Sequence, residues 1–140
     1  MEYISKIFVT VDVVLFRKKN DGSEILLIQR LNEPFKDYWA LPGGFVDQGE
    51  DLETAAKREL FEETDIKLFQ VKQIKAYGNP TRDPRRHIVS VAFIGEIDNL
   101  AEAKAKDDAK CVKWFPIDEL PVLAFDHAEI IRDSIEIEFN

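Results

Sequence analysis

The sequence has a single cysteine, Cys111, so no disulfide can form within the chain and a reducing compartment is the expected environment. Long hydrophobic runs are also missing. The longest, such as Val13–Phe16 and Ile25–Ile28, have four residues, whereas a transmembrane helix needs about 20. Residues Met1–Ser5 lack the basic segment and apolar core of a signal peptide. These absences predict a cytoplasmic protein with no membrane partner.

Positive charge is scarce as well. The chain has 19 lysines and arginines against 27 acidic residues, which gives a net charge of −8 at pH 7. Nonspecific binding of nucleic acid requires a basic surface, so we expect no nucleic-acid partner. A protein of this charge can concentrate divalent cations instead. The composition, 45% hydrophobic and 33% charged, is that of a globular protein, and residues 1–140 contain no repeat or linker, which predicts one domain.

Runs of β-branched and aromatic residues, bounded by turn residues, predict five strands. In the first run, Ile4–Phe16, apolar residues occupy both odd and even positions, which indicates a strand that is covered on both faces. Asp51 is a suitable N-cap for the first of two predicted helices. This order of elements predicts a layered α/β domain. The predicted strands are Ile4–Phe16, Glu24–Arg30, Leu68–Tyr77, His87–Ile97 and Cys111–Phe115, and the predicted helices are Leu52–Thr64 and Ala128–Ile137.

An acidic stretch, in which eight acids and two bases lie between Asp47 and Asp65, includes the first predicted helix. Like charges three or four residues apart on a helix repel by ~0.2–0.5 kcal/mol per pair, and a helix C-terminus disfavours negative charge. Bound Mg²⁺ would reverse both effects, whereas the alternative is an acidic face exposed to solvent. One helix face begins apolar and ends acidic, with Leu52, Ala55 and Ala56 followed by Glu59, Glu62 and Glu63.

Two neighbouring features favour the metal site over the solvated face. Arg58 precedes Glu62 by four residues and can hold its carboxylate in place. The pair Gly43-Gly44 predicts a turn that brings a backbone carbonyl close to the metal. We therefore interpret this stretch as a magnesium site for pyrophosphate hydrolysis.

The spacing of these residues resembles the signature of the Nudix hydrolases. Gly44 is followed by Glu50, then by Arg58-Glu59-Leu60 and Glu62-Glu63, each at the interval typical of that family. One position differs, because Asp65 stands where the family usually has a glycine that ends the helix. The resemblance implies an α/β/α sandwich with a mixed β-sheet and a loop-helix-loop built from the signature.

The resemblance also implies a role for each signature residue. Glu59 and Glu63 would be the main ligands of Mg²⁺, with Mn²⁺ as a possible substitute, and Glu62 a further ligand. The carbonyl of Gly43 would add an oxygen. Together with these glutamates, the implied catalytic residues include Arg58, which orients a carboxylate, and Glu50, which supports the site. The proton acceptor would be a helix glutamate or an acid in a distant loop, here Asp107 or Asp108.

The loop Gly78–His87 has three arginines, Arg82, Arg85 and Arg86, against one acid. Arginine forks suit phosphate oxygens, so we predict that these three bind substrate; the alternative is an exposed loop that balances an acidic protein. Asp108 and Trp39 are further candidate substrate contacts, although Trp39 could equally belong to the core.

This loop, together with the segments Trp39–Val46 and Leu123–His127, resembles the ADP-ribose branch of the family. That branch includes ADP-ribose pyrophosphatases and the Nudix domains of regulators of NAD metabolism. His127 is expected to be a packing or capping residue, and Asp12, which interrupts one face of the first strand, a hydrogen-bonded structural residue.

The implied function is Mg²⁺-dependent hydrolysis of ADP-ribose, a small-molecule nucleotide, to AMP and ribose 5-phosphate. Two alternatives remain open. One is a nucleoside triphosphate pyrophosphohydrolase that cleans the nucleotide pool, and the other is a non-catalytic domain that senses ADP-ribose. A homodimer is a further implication of the resemblance.

Overall fold

The computed structural model describes residues 2–98, 102–103 and 109–140. None of the helices in these ranges is long and apolar enough to cross a membrane. The strands in these ranges are β1 (Phe8–Lys19), β2 (Gly22–Arg30), β3 (Trp39–Ala40), β4 (Gly43–Phe45), β5 (Lys72–Tyr77), β6 (Ile88–Ile97) and β7 (Ala109–Pro116), and the helices are α1 (Leu52–Thr64) and α2 (His127–Phe139).

Strand β1 is the centre of a mixed sheet. It runs parallel to β6 along ten residues and antiparallel to both β2 and β4. It pairs with β2 only through its last residues, Phe16–Lys19, and with β4 only through Thr10–Asp12. The two long strands therefore diverge, and residues 39–45 lie in the gap, since β3 pairs with β2 and β4 with β1.

The alternation of residues along β1 places apolar side chains on both faces of the sheet. Val11, Val13 and Leu15 pack with Ala55, Ala56 and Leu60 of α1. On the other face, Val14 and Phe16 pack in the same cluster as Ile130 and Ile131 of α2. One helix covers each face of the sheet. The predicted α/β/α sandwich with a mixed sheet is confirmed.

Element boundaries differ from the predictions mainly where strand pairing decides them. Helix α1 has the predicted bounds, whereas β1 begins at Phe8 rather than Ile4, because its parallel partner β6 begins opposite Phe8. The predicted turn at Gly43-Gly44 is wrong, because both residues pair with β1 as strand β4. The sequence favours a small buried apolar role for Cys111 over that of a nucleophile, but Cys111 is exposed. The polar composition of residues 98–110 predicts a surface loop, and these residues lie largely outside the described ranges.

Candidate active site

Helix α1 has a defined cap at each end. The Asp51 side chain accepts hydrogen bonds from the backbone N–H groups of Glu53 and Thr54, at 3.1 and 3.4 Å. At the other end Asp65 adopts a left-handed conformation, with φ 65°, and its N–H donates to the Phe61 carbonyl at 2.9 Å. Aspartate is one of the few residues other than glycine that tolerate this conformation. Asp65 therefore ends the helix as the usual glycine would.

Arg58 links the carboxylates of the signature to one another. Its Nε and Nη2 donate to the two oxygens of Glu50 at 2.6 and 2.8 Å, and its Nη1 donates to Glu59 at 2.9 Å and Glu62 at 3.1 Å. The predicted pairing with Glu62 is present, but the two-point contact with Glu50 is the stronger one. It lowers the pKa of Glu50 to about 2 and raises the pKa of Arg58.

The two glycines of β4 bring the backbone against the helix. The Gly43 N–H donates to Oε1 of Glu63 at 2.7 Å. A Cβ on Gly44 would lie 2.6 Å from the carboxylate carbon of Glu59. Any larger residue here would therefore displace the Glu59 carboxylate. Burial raises the pKa of Glu59, although hydrogen bonding to Arg58 opposes this shift.

The site fits a divalent cation by the type of donor that it offers. Glu59, Glu62 and Glu63 line one cavity with the backbone of Gly43, and carboxylate and carbonyl oxygens are the ligands that Mg²⁺ prefers. One oxygen of Glu59 and one of Glu62 accept from Arg58, and one oxygen of Glu63 accepts from the Gly43 N–H. Among the described residues, no three His, Cys, Asp or Glu side chains form a ready-made metal cluster.

The cavity has a volume of about 560 Å³, within the range of small-molecule sites. One wall is acidic and is formed by α1. A second wall combines cationic and aromatic side chains, which suits a ligand that has both phosphates and rings. This second wall includes Arg30, Arg82, Asp83, Arg85 and Phe125.

Of the three predicted arginines, two line the cavity and both are paired. Arg82 is almost fully buried and makes a two-point contact with Asp126, at 2.6 and 2.8 Å. Arg85 makes a similar contact with Asp83 and lies about 5.5 Å from the ring centres of Phe45 and Phe125.

The remaining predicted contacts lie elsewhere. Arg86 stacks over Phe8 and does not line the cavity. Trp39 does not line it either, since its ring packs edge-to-face on Phe115 at 4.8 Å beside the core of the α2 face. Asp107 and Asp108 lie outside the described residues.

Arg30 and Phe125 are cavity residues that the sequence did not indicate. The Arg30 Nε donates to the Pro34 carbonyl at 2.8 Å, and its guanidinium lies 5.0 Å from the centre of the Phe125 ring. Arg30 ends a strand and Phe125 is 95 positions further along the chain. A signal for this pairing would have required knowledge of the tertiary fold.

A buried polar cluster, centred on Asp12 and His127, forms part of the cavity lining. The Leu41 N–H donates to Nδ1 of His127 at 3.0 Å, and Nε2 of His127 faces Oδ1 of Asp12 at 3.5 Å. The Ser90 hydroxyl donates to the other oxygen of Asp12. Burial lowers the pKa of His127. These contacts agree with the structural roles expected for His127 and Asp12.

Comparison with known proteins identifies the family. The family model described as "NUDIX domain" matches residues 6–135. The chain is 49% identical over 112 residues to an ADP-ribose pyrophosphatase of Methanocaldococcus jannaschii, covering 79% of this chain and 65% of that protein. This chain therefore spans slightly less than two thirds of the relative's length.

Two solved structures are similar. One is the NUDIX domain of Shewanella oneidensis NrtR complexed with ADP ribose, with a TM-score of 0.90 and 33% identity over 96% of this chain and 90% of that one. The other is a bifunctional NMN adenylyltransferase/ADP ribose pyrophosphatase of Francisella tularensis, complexed with AMP and a Mn ion. Its TM-score is 0.84, with 34% identity over 96% and 42% of the two chains. The signature, the sandwich and these matches agree, and the chain belongs to the Nudix family.

Proposed function

We propose that this chain is a divalent-metal-dependent hydrolase that cleaves ADP-ribose to AMP and ribose 5-phosphate. The observation that supports this most is the mixed lining of the cavity, which combines carboxylates suited to metal with arginine and aromatic side chains. The similarity to an ADP-ribose pyrophosphatase and to a domain complexed with ADP ribose favours this substrate over a nucleoside triphosphate.

The residues of the chain would divide the work of the reaction. A divalent cation held by Glu59, Glu62 and Glu63 would supply Lewis-acid activation of the pyrophosphate and of the attacking water. Arg58 holds Glu59 and Glu62 in place, and its contact with Glu50 fixes the guanidinium. Each of these contacts prepares the site before substrate arrives, which reduces the reorganisation needed during the reaction.

The arginine and aromatic residues of the second wall would position the nucleotide. Phe125 and Phe45 present rings beside Arg85, and such surfaces stack on purine bases. Arg82 is held by Asp126, so its contribution would be to the shape and local charge of the wall more than to a two-point phosphate contact.

Incubating purified protein with ADP-ribose and Mg²⁺ tests the proposal, with products identified by mass spectrometry. We expect AMP and ribose 5-phosphate in equal amounts, and none from a Glu63→Gln control. A panel of nucleoside triphosphates in the same assay tests the first alternative. Turnover of the triphosphates without turnover of ADP-ribose would overturn the substrate assignment. Repeating the reaction in ¹⁸O-labelled water shows which phosphorus is attacked.

A non-catalytic sensor is the second alternative, and the NrtR domain complexed with ADP ribose is the observation that supports it. Calorimetry separates the two. Saturable binding of ADP-ribose in the presence of Mg²⁺, with no product after prolonged incubation, would identify a sensor.

The cytoplasmic location, the preference for Mg²⁺ over Mn²⁺ and the homodimer remain predictions. Light scattering on the purified protein measures the oligomeric state, and parallel titrations with the two cations measure the preference.

A further inference from the structure

The segment that presents Gly43 to the acidic helix spans the gap between two diverging strands. Ala40 pairs with Ile28 of β2, and Gly43 pairs with Asp12 of β1. Between these anchors the Pro42 carbonyl accepts from the Val13 N–H at 2.9 Å, and proline has no N–H to donate. The position of Gly43 therefore depends on how the residues between the strands are held.

Between these two anchors, Leu41 has the one remaining backbone N–H. The acceptor of its hydrogen bond is a side chain 86 positions away in sequence. The N–H donates to Nδ1 of His127 at 3.0 Å, and Leu41 is only 2% exposed. A buried N–H without a partner is strongly disfavoured, so this bond fixes the segment. Because Nδ1 accepts, the neutral ring has its proton on Nε2, which faces Asp12.

Asp12 orients the imidazole from behind. Its two carboxylate oxygens lie between the Ser90 hydroxyl and the His127 ring. Asp12 is also adjacent to Gly43, because its Oδ1 would be 2.6 Å from a Cβ on Gly43. Ser90, Asp12 and His127 therefore form a continuous buried chain of polar contacts that ends at the Leu41 backbone.

These polar contacts position a hydrogen bond to Glu63, a candidate metal ligand. Two residues after Leu41, the Gly43 N–H donates to Oε1 of Glu63 at 2.7 Å. We propose that His127, oriented by Asp12, is a positioning residue that sets the backbone of Gly43 against Glu63 and thereby tunes metal binding. The proposal rests on the proposed function for the identity of the bound group, but its geometric part stands on the contacts alone.

The test compares two substitutions at one position. His127→Asn keeps an acceptor oxygen close to the place of Nδ1, whereas His127→Leu removes it at similar size. We expect His127→Leu to speed amide exchange at Leu41 and Gly43, measured by NMR, and to weaken Mn²⁺ binding about 10–100-fold, the range typical of residues that orient metal ligands. His127→Asn should restore most of both properties.

Ser134→Ala is the matched control. Ser134 is also fully buried in α2, but its hydroxyl bonds only the Ile130 carbonyl of the same helix in the described contacts. It should lower the melting temperature without changing Mn²⁺ affinity or the exchange at Gly43. If His127→Leu behaves like Ser134→Ala, His127 is merely structural and the proposal is wrong.

Two further measurements separate this proposal from the proposed function. If the wild type binds Mn²⁺ but does not hydrolyse ADP-ribose, the function fails while the affinity comparison still decides the role of His127. If the wild type does hydrolyse ADP-ribose, His127→Leu should lower kcat more than it raises KM, since the arginine and aromatic side chains of the cavity keep their contacts. If His127→Leu does not fold, Ser90→Ala tests the same polar contacts, because it removes the hydrogen bond to Asp12. Unchanged Mn²⁺ affinity and unchanged Gly43 amide exchange in Ser90→Ala would overturn the proposal.

Discussion

Replacing Gly44 with alanine should leave the protein folded but remove most of the hydrolytic activity that we propose for it. The added Cβ would lie 2.6 Å from the carboxylate carbon of Glu59 and 2.6 and 2.7 Å from its two oxygens. These atoms are the far end of a flexible side chain on α1. The side chain can move away without disturbing the backbone, so the substitution displaces the Glu59 carboxylate and leaves the fold intact.

The size of the displacement follows from the contact distances. An ordinary contact begins near 3.4 Å, so the Glu59 carboxylate must move by about 0.8 Å from its position at 2.6 Å. Mg²⁺ requires near-octahedral geometry with oxygens at about 2.0–2.1 Å, which leaves little tolerance for such a shift. A misplacement of about 1 Å can cost about 10²-fold in rate. We expect a fall of that order in kcat, with a parallel loss of metal affinity.

Its neighbour provides a contrasting variant. A Cβ on Gly43 would overlap the backbone carbonyl oxygen of Val11, which is held within the sheet and cannot rotate away. Gly43→Ala should therefore reduce the free energy of unfolding by at least about 1–3 kcal/mol, the range typical of overpacking. Gly78→Ala is the neutral control, because its Cβ would meet only a methyl group of Val89 at 3.6 Å.

Urea unfolding, Mn²⁺ titration and steady-state kinetics on the three variants check these expectations. Wild-type stability with weakened metal binding in Gly44→Ala would support the reasoning. The reasoning is refuted if Gly44→Ala keeps both wild-type kcat and wild-type metal affinity, because Glu59 would then not depend on this close approach. Equal destabilisation of the Gly44 and Gly43 variants would also refute it.

Three further outcomes follow from the charged contacts. Glu63→Gln should retain its bond to the Gly43 N–H and its urea midpoint, while kcat falls by orders of magnitude because a proposed metal ligand loses its charge. Asp126→Asn leaves the buried Arg82 guanidinium without its counter-ion, and calorimetric unfolding should show a loss of about 3 kcal/mol, at the low end for broken buried pairs. Glu50 has a pKa of about 2, depressed from 4.5, so its contribution to stability is present above pH 4.5 and is lost as the pH falls towards 2. Unfolding of Glu50→Gln should therefore depend less on pH in that window, and an unchanged slope would contradict the assignment.

The parts of the site that the sequence predicted are those that local spacing determines. The bounds and caps of α1 depend on residues within four positions of one another, and Asp51 and Asp65 act as their residue types predict. The carboxylates of Glu59 and Glu63 lie on the inward face for the same reason, since helical periodicity places them in line with Ala55 and Ala56.

The contacts of the second wall could not be predicted in this way, because they join distant segments. Arg82 and Asp126 are 44 positions apart, and Arg58 finds its principal partner in Glu50, eight residues away and before the helix begins. Trp39 was ambiguous for a related reason. Whether an aromatic side chain of a two-residue strand faces a cavity or a core is decided by the strand beside it, here β2.

The pairing of the arginines changes how an anionic ligand would be held. Arg82 and Arg85 each have an aspartate partner, so the positive charge of both is compensated within the protein. A diphosphate in this cavity of about 560 Å³ would share it with the carboxylates of Glu59, Glu62 and Glu63. Repulsion between like charges is stronger near a protein surface than in bulk water. The divalent cation would therefore be needed to admit the substrate as well as to activate it, and the arginine loop, which the sequence suggests as the phosphate clamp, would instead serve to shape and orient the pocket around the metal.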